Sequence, residues 1–305
     1  RNLNNWVKQV LIRHWATEGD AVLDLACGKG GDLFKWAKKD ISFYCAVDIA
    51  EQSIRDLRTR YNSSERLKFA AKLVVCDCFG VDLDEVLADE GPFNVVSCQF
   101  ALHYSFETEE RARRTMRSIS RLLLPGGRFM ATIPNSNVIV KSLRESKDLT
   151  FGNRVYRITF GEEHAEKTFP ASRPFGNKYW FYLEDAVDCA EFLIPFETLT
   201  ALAAEVGMEL ELNQNFHEFL FLQKENPIDR SLLEANEVFH SRRNTSMSQA
   251  EYEAAYIYKV VIFKKKAGHP FVGEHRTADE IKIRQPGYKF VNSEDIMIIQ
   301  ANDSA

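Results

Sequence analysis

The sequence has no apolar run approaching the roughly 20 residues that a membrane helix needs, and no signal peptide opens it. Its six cysteines form no CxxC pair, so neither a disulfide scaffold nor a zinc site is indicated. Cys76 and Cys78 stand one residue apart without a second matching pair, and we predict no metal. The pattern favours a reduced intracellular protein. Because the chain begins with Arg1 rather than Met, it is compatible with a fragment of a longer protein.

An excess of basic residues is also missing. The formal net charge is −5, whereas proteins that coat long nucleic acids usually have a basic balance or a basic face. We therefore expect no DNA partner and no membrane. Any contact with RNA should be local, in a pocket that holds one end of the RNA. A length of 305 residues allows one large α/β domain with an insertion, or two small domains.

Short apolar runs alternate with helical periods from residue 20 to about residue 135. Each run is predicted as a strand, at residues 21–26, 43–47, 72–76, 93–98 and 128–133. Helices are predicted between them, near residues 31–39, 51–61, 82–89 and 107–123. This alternation predicts a parallel, doubly wound sheet, with ligands at the carboxyl ends of its strands.

One face of the helix predicted at 107–123 is apolar, and the other carries arginines. The arginines are Arg113, Arg114, Arg117 and Arg121. They are interpreted as a solvated face in preference to an RNA track.

The rhythm changes after Pro134. Residues 136–190 predict a short helix followed by strands at 154–160 and 178–182, with Gly and Pro between them. A helix at 196–206 and strands at 209–221 and 255–264 then complete a seven-stranded sheet. We therefore predict one domain at residues 1–266, with an insertion at about 136–195. Residues 267–305 are predicted as a C-terminal extension with one strand-like run at 294–300 and no assigned role.

Residues 22–32, with the sequence VLDLACGKGGD, read as a strand, a glycine-rich turn and the start of a helix. A dinucleotide fold would need G-x-G-x-x-G, so that a pyrophosphate sits on the helix N-terminus. Here Gly28, Gly30 and Gly31 leave no third glycine at that spacing. Asp24, near the end of the strand, suits a ligand with a cationic ammonium or sulfonium group. The turn therefore favours S-adenosylmethionine over a nicotinamide cofactor.

Two further carboxylates close strands. Asp48 ends the second strand about 20 residues after the turn, where it can accept hydrogen bonds from ribose hydroxyls. Asp77 ends the third strand and can accept from an adenine amino group. Each alone is commonly a helix cap or turn residue. Together with the glycine turn and the LPGG run at 124–127, they resemble the class I methyltransferases across residues 20–135, although Ala26 stands where those enzymes often have glycine.

A finer resemblance lies in five separated motifs. They are residues 3–8 (LNNWVK), 97–106 (SCQFALHYSF), 134–136 (PNS), 175–179 (FGNKY) and 188–193 (DCAEFL). In this order they resemble the cellular mRNA cap guanine-N7 methyltransferases from about residue 2 to residue 264. The resemblance implies a Rossmann-like class I α/β fold, with a seven-stranded mostly parallel sheet, helices on both faces and an inserted subdomain covering the cap.

The resemblance also implies roles for residues and partners. The S-adenosylmethionine site would comprise Lys8, Asp24, Ala26, Gly28, Asp48, Asp77, Gln99 and Tyr104. The cap pocket would comprise Asn4, Lys29, Asp32, Arg60, Phe100, His103, Tyr104, Glu191 and Tyr258. The substrate would be the capped 5′ end of RNA, GpppN. Other capping enzymes or the transcription machinery are expected partners, and the location would be the nucleus, or the cytoplasm for a viral enzyme.

The chemistry of some of these residues can be judged independently. The Watson–Crick edge of guanine presents N–H donors, whose hydrogen bonds a carboxylate such as Glu191 can accept. Phe100 and Tyr104 can hold a base by its face or edge, and Lys29 and Arg60 are candidates for the triphosphate.

Each of these residues has a plainer interpretation, which stays open at this point. The aromatic residues are equally typical of a core, and Tyr258 of strand packing. His103 is typical of a satisfied interior histidine, and Glu191 of a surface helix start.

Two other functions remain as alternatives. A class I methyltransferase for a small molecule or protein would lack the insertion and the segment 4–8. A non-catalytic subunit that binds S-adenosylmethionine or RNA would usually lose the strand-end carboxylates or the glycine turn. A nicotinamide oxidoreductase is disfavoured by the missing third glycine.

Overall fold

The computed structural model describes residues 2–184, 186–239, 247–274 and 287–299. The strands are β1 Ala21–Leu25, β2 Phe43–Asp48, β3 Ala70–Val75, β4 Phe93–Gln99, β5 Leu123–Pro134, β6 Thr150–Gly152, β7 Tyr156–Phe160, β8 Lys178–Leu183, β9 Val187–Phe192, β10 Met208–Asn215, β11 Tyr258–Lys265 and β12 Met297–Ile298. The helices are α1 Asn2–Trp15, α2 Leu33–Ala37, α3 Glu51–Asn62, α4 Leu83–Val86, α5 Glu109–Leu122, α6 Ser136–Glu145, α7 Phe196–Glu205, α8 Phe216–Gln223, α9 Pro227–Ala235 and α10 Gln249–Ala255. Short 3-10 helices cover Leu102–Glu107 and Glu162–His164.

The central sheet has the strand order β10-β11-β5-β4-β1-β2-β3-β12. Strands β1 to β5 and β12 pair in parallel, whereas β10 and β11 pair antiparallel at one edge. The chain order reverses between β1 and β4, so a crevice opens there at the carboxyl ends of the strands. The predicted α/β class is confirmed. The seven predicted strands are joined by an eighth, β12, which falls inside the run predicted at 294–300, and residue 300 lies outside the described residues.

Helices cover both faces of this sheet, and this explains why β1 and β2 are buried at every position. In α5 the apolar residues Ala112, Met116 and Ile119 are all at most 1% exposed. The opposite face is solvated, as predicted, and its arginines pair with carboxylates: Arg113 with Glu205, for example, and Arg121 with Asp84. Within the described ranges no helix combines the length and the apolar character needed to cross a membrane.

A second sheet, with the order β6-β7-β8-β9 and antiparallel throughout, forms within the insertion. Strands β6 and β9 were not predicted. Alternate residues of β8 explain its position: Tyr179 and Phe181 are almost fully buried, while Trp180 is 50% exposed. One face of this sheet therefore closes over the carboxyl edge of the central sheet, and the other faces outward.

The strand predicted at 209–221 is wrong beyond Asn215. The Asn215 side chain accepts a hydrogen bond from the His217 amide and begins α8. Phe216, Phe219 and Leu220 then lie buried at helical spacing. Helices α9 and α10 were not predicted either.

Helix α1 is attached to α9 through Asp229, which is fully buried. Its carboxylate lies 3.0 Å from Arg13 Nη1 and 2.6 Å from His14 Nε2. Its backbone oxygen accepts a 2.8 Å hydrogen bond from Trp6 Nε1. Since α1 carries Asn4 and Lys8, this contact determines where those side chains lie.

We expect Asp229→Ala to lower the free energy of unfolding by about 2–3 kcal/mol, somewhat below the cost of breaking a fully buried ion pair, because Arg13 and His14 stay partly hydrated. Urea unfolding followed by circular dichroism measures this loss. Glu234→Ala, at an exposed position of the same helix, is the matched control and should change stability by less than about 0.5 kcal/mol. Equal losses in the two variants would contradict the assigned role of Asp229.

Candidate active site

The glycine-rich turn after β1 contains two glycines in the left-handed region, Gly28 with φ 54° and Gly30 with φ 70°. A Cβ on Gly30 would lie 2.8 Å from Leu57 Cγ, so this position also needs glycine for space. The Gly28 amide donates a 2.7 Å hydrogen bond to Asp48 Oδ2. The turn and the end of β2 are therefore fixed to each other.

Asp48 is 8% exposed, and its second oxygen, Oδ1, accepts a 2.8 Å hydrogen bond from the Ala50 amide. Each carboxylate oxygen keeps a further lone pair, so the group can still accept hydrogen bonds from hydroxyls. Beside it Ile49 presents an apolar side chain that is 69% exposed. Sequence reasoning missed Ile49, because a single apolar residue after a strand carries no signal of exposure.

Below the turn, Asp24 is 3% exposed and accepts a 2.7 Å hydrogen bond from the Tyr44 hydroxyl. Burial raises the pKa of Asp24, and the nearby charge of Asp32 raises it further. A cationic ligand beside Asp24 would stabilise its carboxylate form, which agrees with the role predicted for it.

Asp32 lies with Lys8 and Lys35, at 2.9 Å and 2.8 Å from their ammonium groups. Although desolvation opposes ionisation, these two charges lower the pKa of Asp32. The structure thus pairs Asp32, predicted in the cap pocket, with Lys8, predicted in the cofactor site. Lys35 was missed, since nothing in its spacing distinguishes it from the nearby Lys38 and Lys39.

Ala26, at the position where the resemblance predicted glycine, has φ 51°. An L-residue in this region costs roughly 1–2 kcal/mol. The backbone conformation is thus one that glycine would adopt without strain, and alanine is the smallest side chain that can take its place.

Asp77 follows β3 and is held from two sides. Its Oδ1 accepts a 3.1 Å hydrogen bond from the Phe79 amide, and its Oδ2 a 3.1 Å bond from Arg111 Nη2. Gly80 lies so close that a Cβ there would be 2.5 Å from Asp77 Oδ2. Sequence reasoning missed Arg111, because a contact between a helix side chain and a loop distant in sequence has no sequence signature.

At the end of β4, the side-chain amide of Gln99 donates to Ser97 Oγ at 3.1 Å and to Met130 O at 3.4 Å. These bonds fix the orientation of the amide group, so that its oxygen, Oε1, points away from Ser97 Oγ and Met130 O. Oε1 is buried and has no hydrogen-bond partner within the described part of the chain. An unpaired buried acceptor is costly, and beside the crevice it fits the ammonium group of an amino-acid ligand.

Glu191 lies on β9 and is 5% exposed. Its Oε2 accepts a 2.7 Å hydrogen bond from the Tyr179 hydroxyl. Burial raises the pKa of Glu191 to about 7, although the bond from Tyr179 opposes the shift. The interpretation of Glu191 as a surface residue at a helix start is therefore wrong. Tyr179 was missed because it meets Glu191 only through the β8–β9 register.

His103 is 1% exposed, and burial lowers its pKa to about 3, so the imidazole is neutral. Its Nε2 lies 3.4 Å from Glu191 Oε1, without the alignment of a hydrogen bond. Neither ring nitrogen has a hydrogen-bond partner among the described residues. His103 is interior, but it is not the satisfied interior histidine of the plainer interpretation.

Aromatic rings surround the carboxylate of Glu191. Phe100, with φ 61°, is half-buried and meets Tyr258 edge to face at 5.1 Å between ring centroids. Tyr258 also packs against Phe181 at 6.4 Å. The Tyr104 hydroxyl lies 3.3 Å from Cys189 Sγ, and the ring lies 4.2 Å from His103. These groups form a cluster with one buried carboxylate and aromatic sides.

Four residues predicted in the cap pocket lie elsewhere, on the side of the glycine turn, and Asp32, described above, is one of them. Arg60 donates a 3.1 Å hydrogen bond to Gly30 O, and Lys29, 65% exposed in its side chain, lies 2.8 Å from Asp56. Asn4 is half-buried in the first turn of α1. The basic groups are thus separate from Glu191, as a ligand with distinct base and phosphate ends would require.

Comparison with known proteins identifies a family. A family model described as an mRNA (guanine-N(7))-methyltransferase domain matches residues 1–266. A rice protein (Oryza sativa subsp. japonica) named mRNA cap guanine-N(7) methyltransferase 1 is 49% identical over 278 residues, covering 88% of this chain and 75% of its own length. The Arabidopsis thaliana protein of the same name is 44% identical over 310 residues, covering 99% of this chain and 82% of its own. The Schizosaccharomyces pombe mRNA cap guanine-N(7) methyltransferase is 37% identical, covering 87% and 75%.

Solved structures agree on the fold. The CcbJ methyltransferase from Streptomyces caelestis matches with a TM-score of 0.52 and 16% identity, covering 87% of this chain and 94% of that one. A putative S-adenosylmethionine-dependent methyltransferase from Listeria monocytogenes matches with a TM-score of 0.52 and 12% identity, covering 87% and 98%. Because the family model spans residues 1–266 and the plant relatives are 44–49% identical, the chain belongs to the mRNA (guanine-N(7))-methyltransferase family.

Proposed function

We propose that this chain methylates N7 of the guanine that caps the 5′ end of RNA, GpppN, with S-adenosylmethionine as methyl donor. The observation that carries the proposal is the buried carboxylate of Glu191, which lies 3.4 Å from His103 in the 3-10 helix that follows β4. The names of the relatives point to the same reaction. As a member of this family the chain is an S-adenosylmethionine-dependent methyltransferase, and its substrate is capped RNA.

In the cap pocket, the Glu191 carboxylate would accept hydrogen bonds from N1–H and the N2 amino group of guanine. Phe100, Tyr104 and Tyr258 would hold the base by its face and edge, a contact worth about 1–3 kcal/mol per base in single-strand binders. Lys29, Arg60 and Asn4, on the turn side, would contact the triphosphate bridge. Asp32 would act by orienting Lys8 and Lys35, with which it is ion-paired.

The hydrogen-bond acceptors along the strand ends fit S-adenosylmethionine. Asp48 would hold the ribose hydroxyls and Asp77 the adenine amino group, while the unpaired Gln99 Oε1 would accept from the ammonium group. The remaining cofactor-site residues are Lys8, Asp24, Ala26, Gly28 and Tyr104. When bound, the cofactor supplies an electrophilic methyl group on a sulfonium. Within the described ranges no group of three or more His, Cys, Asp or Glu side chains could hold a metal ion.

The protein's task is positioning. Guanine N7 has a lone pair and no proton, so no general base is required, and His103 with its lowered pKa stays neutral throughout the working range. Holding the base in line with the methyl group can supply roughly 7–11 kcal/mol of the barrier. Carboxylates such as Glu191 and Asp24 stabilise the positive charge that the base acquires.

The biological setting is proposed on the same basis. The enzyme would act after a triphosphatase and a guanylyltransferase on nascent transcripts, in the nucleus. Residues 1–266 would form the catalytic domain with its insertion at about 136–195, and residues 267–305 a C-terminal extension. A fluorescent fusion that stays in the cytoplasm of a transcribing cell would contradict the nuclear location.

The decisive test uses the purified chain, labelled S-adenosylmethionine and matched RNAs ending in GpppN, pppN or m7GpppN. We expect label in N7-methylguanosine with the GpppN RNA alone. If no RNA accepts label although S-adenosylhomocysteine binds, a methyltransferase for small molecules or a silent subunit becomes the better interpretation.

Glu191→Ala should lower kcat/KM for capped RNA by about 100-fold, because guanine donors left unpaired cost about 1–3 kcal/mol each. His103→Ala should cost about tenfold or less, since a tenfold rate change needs only ~1.4 kcal/mol and no proton transfer depends on the ring. Both variants should bind S-adenosylhomocysteine normally, which controls for folding. A larger loss in His103→Ala would mean that the guanine edge does not face Glu191.

Glu191→Gln should stabilise the protein at high pH while it impairs cap methylation. The pKa of Glu191 is raised from 4.5 to about 7 on folding, so its contribution to stability is greatest below pH 4.5 and falls as the pH approaches 7. Glutamine removes this penalty, and Tm should rise at pH 8 by about 2–4 °C for each kcal/mol regained.

Thermal unfolding at pH 5 and pH 8 measures this effect, and the exposed Glu184→Gln is the matched control. The difference in Tm between Glu191→Gln and the unmodified chain should be larger at pH 8 than at pH 5. An equal difference at the two pH values would show that the carboxylate of Glu191 is not destabilised by burial.

A further inference from the structure

Residues 287–299 lie outside the part of the chain that the family model matches, yet they pack against the central sheet. Their first contact is with the end of α3. The Asn62 side chain donates a 2.8 Å hydrogen bond to Val291 O and accepts a 3.0 Å bond from the Val291 amide. Tyr288 stacks on Tyr61 with 5.0 Å between ring centroids and 23° between planes. The segment is therefore attached at a defined register.

The middle of the segment is buried. Val291 is 4% exposed and Ile296 is 8% exposed, and both belong to the hydrophobic cluster that contains Tyr61, Leu67 and Phe69. Burial of this kind stabilises the contact by about 25 cal/mol for each Å² of apolar surface removed from water. The segment is thus part of the core between α3 and β3.

The end of the segment forms β12, which pairs in parallel with β3. Met297 lies opposite Val74, Ile298 opposite Val75, and the Ile299 amide donates a 2.9 Å hydrogen bond to Val75 O. Without β12, the β3 side opposite β2 would be an open sheet edge. The last ladder bond is made two residues before Asp77.

We propose that residues 287–299 are a positioning element for the cofactor site, because they fix the end of β3 and with it the carboxylate of Asp77. Phe79 and Arg111 orient this carboxylate locally. The strand that leads to it is supported by β2 on one side and by the C-terminal segment on the other. An edge strand supported on one side alone opens more readily, and each opening displaces the group that is to bind adenine. The inference rests on the proposed function only in placing adenine beside Asp77.

A single substitution isolates the ladder bond. Ile299→Pro removes the amide that donates to Val75 O, and proline's effect on the preceding residue favours the extended conformation that Ile298 already has. Ile299→Ala keeps the amide while it shortens the same side chain, so it is the matched control. A chain ending at residue 286 removes the whole segment.

We expect S-adenosylhomocysteine, titrated calorimetrically into the full chain, to bind about tenfold more weakly to Ile299→Pro and to the shortened chain than to Ile299→Ala, which is within the usual range of coupling between two sites. Hydrogen exchange at the amides of residues 73–78 should become faster in the same two variants. The KM for GpppN RNA at saturating S-adenosylmethionine should stay unchanged.

Neither S-adenosylhomocysteine binding nor hydrogen exchange requires cap methylation. The inference can therefore fail while the proposed function holds, and the proposed function can fail while the inference holds. If the shortened chain does not fold, as judged by circular dichroism, Ile299→Pro decides alone. Unchanged S-adenosylhomocysteine affinity and unchanged exchange in Ile299→Pro would overturn the proposal, and so would an equal weakening in Ile299→Ala.

Discussion

The hydrogen bond from the Gly28 amide to the Asp48 carboxylate joins the glycine turn after β1 to the end of β2, and the other parts of the site are arranged around it. Gly28 has a positive φ in the turn that brings its amide to Asp48. Leu57 occupies the space that a side chain at Gly30 would need, so α3 also packs against this turn. Arg60, on the same helix, donates to Gly30 O. One local conformation therefore fixes both the end of β2 and the position of Arg60 beside the turn.

Features that depend on local spacing could be predicted from the sequence. Features that depend on which residues of two strands lie opposite each other could not. The location of Asp48 and Asp77 at strand ends could be predicted, because the carboxyl ends of parallel strands meet at one edge wherever the neighbouring strands come from in the chain. The contact of Tyr179 with Glu191 could not be found, since it depends on which residues of β8 and β9 lie opposite each other. The helix that follows Asn215 was missed because one capping side chain, rather than a change in hydrophobic pattern, ends β10.

The site contains several polar groups that the fold leaves without hydrogen-bond partners or buries at a cost to their charged form. Gln99 Oε1 and both nitrogens of His103 are buried without partners in the described structure, and Glu191 is a carboxylate whose pKa burial raises to about 7. Each lowers the stability of the free enzyme. A ligand that provides donors to Gln99 and Glu191 removes part of this cost, so ligand binding should be favoured by the same burial that destabilises the empty site.

The two edges of the central sheet are protected in different ways. On one side the chain's own C-terminal segment occupies the ladder positions of β3. On the other, β10 shows a register shift between Leu210 and Leu212, and its exposed residues include Glu209 and Glu211. An irregular edge that carries charged side chains is a poor template for a strand of another molecule. Open edges are the usual starting points for intermolecular β-sheet, so the central sheet offers few places where another molecule could extend it.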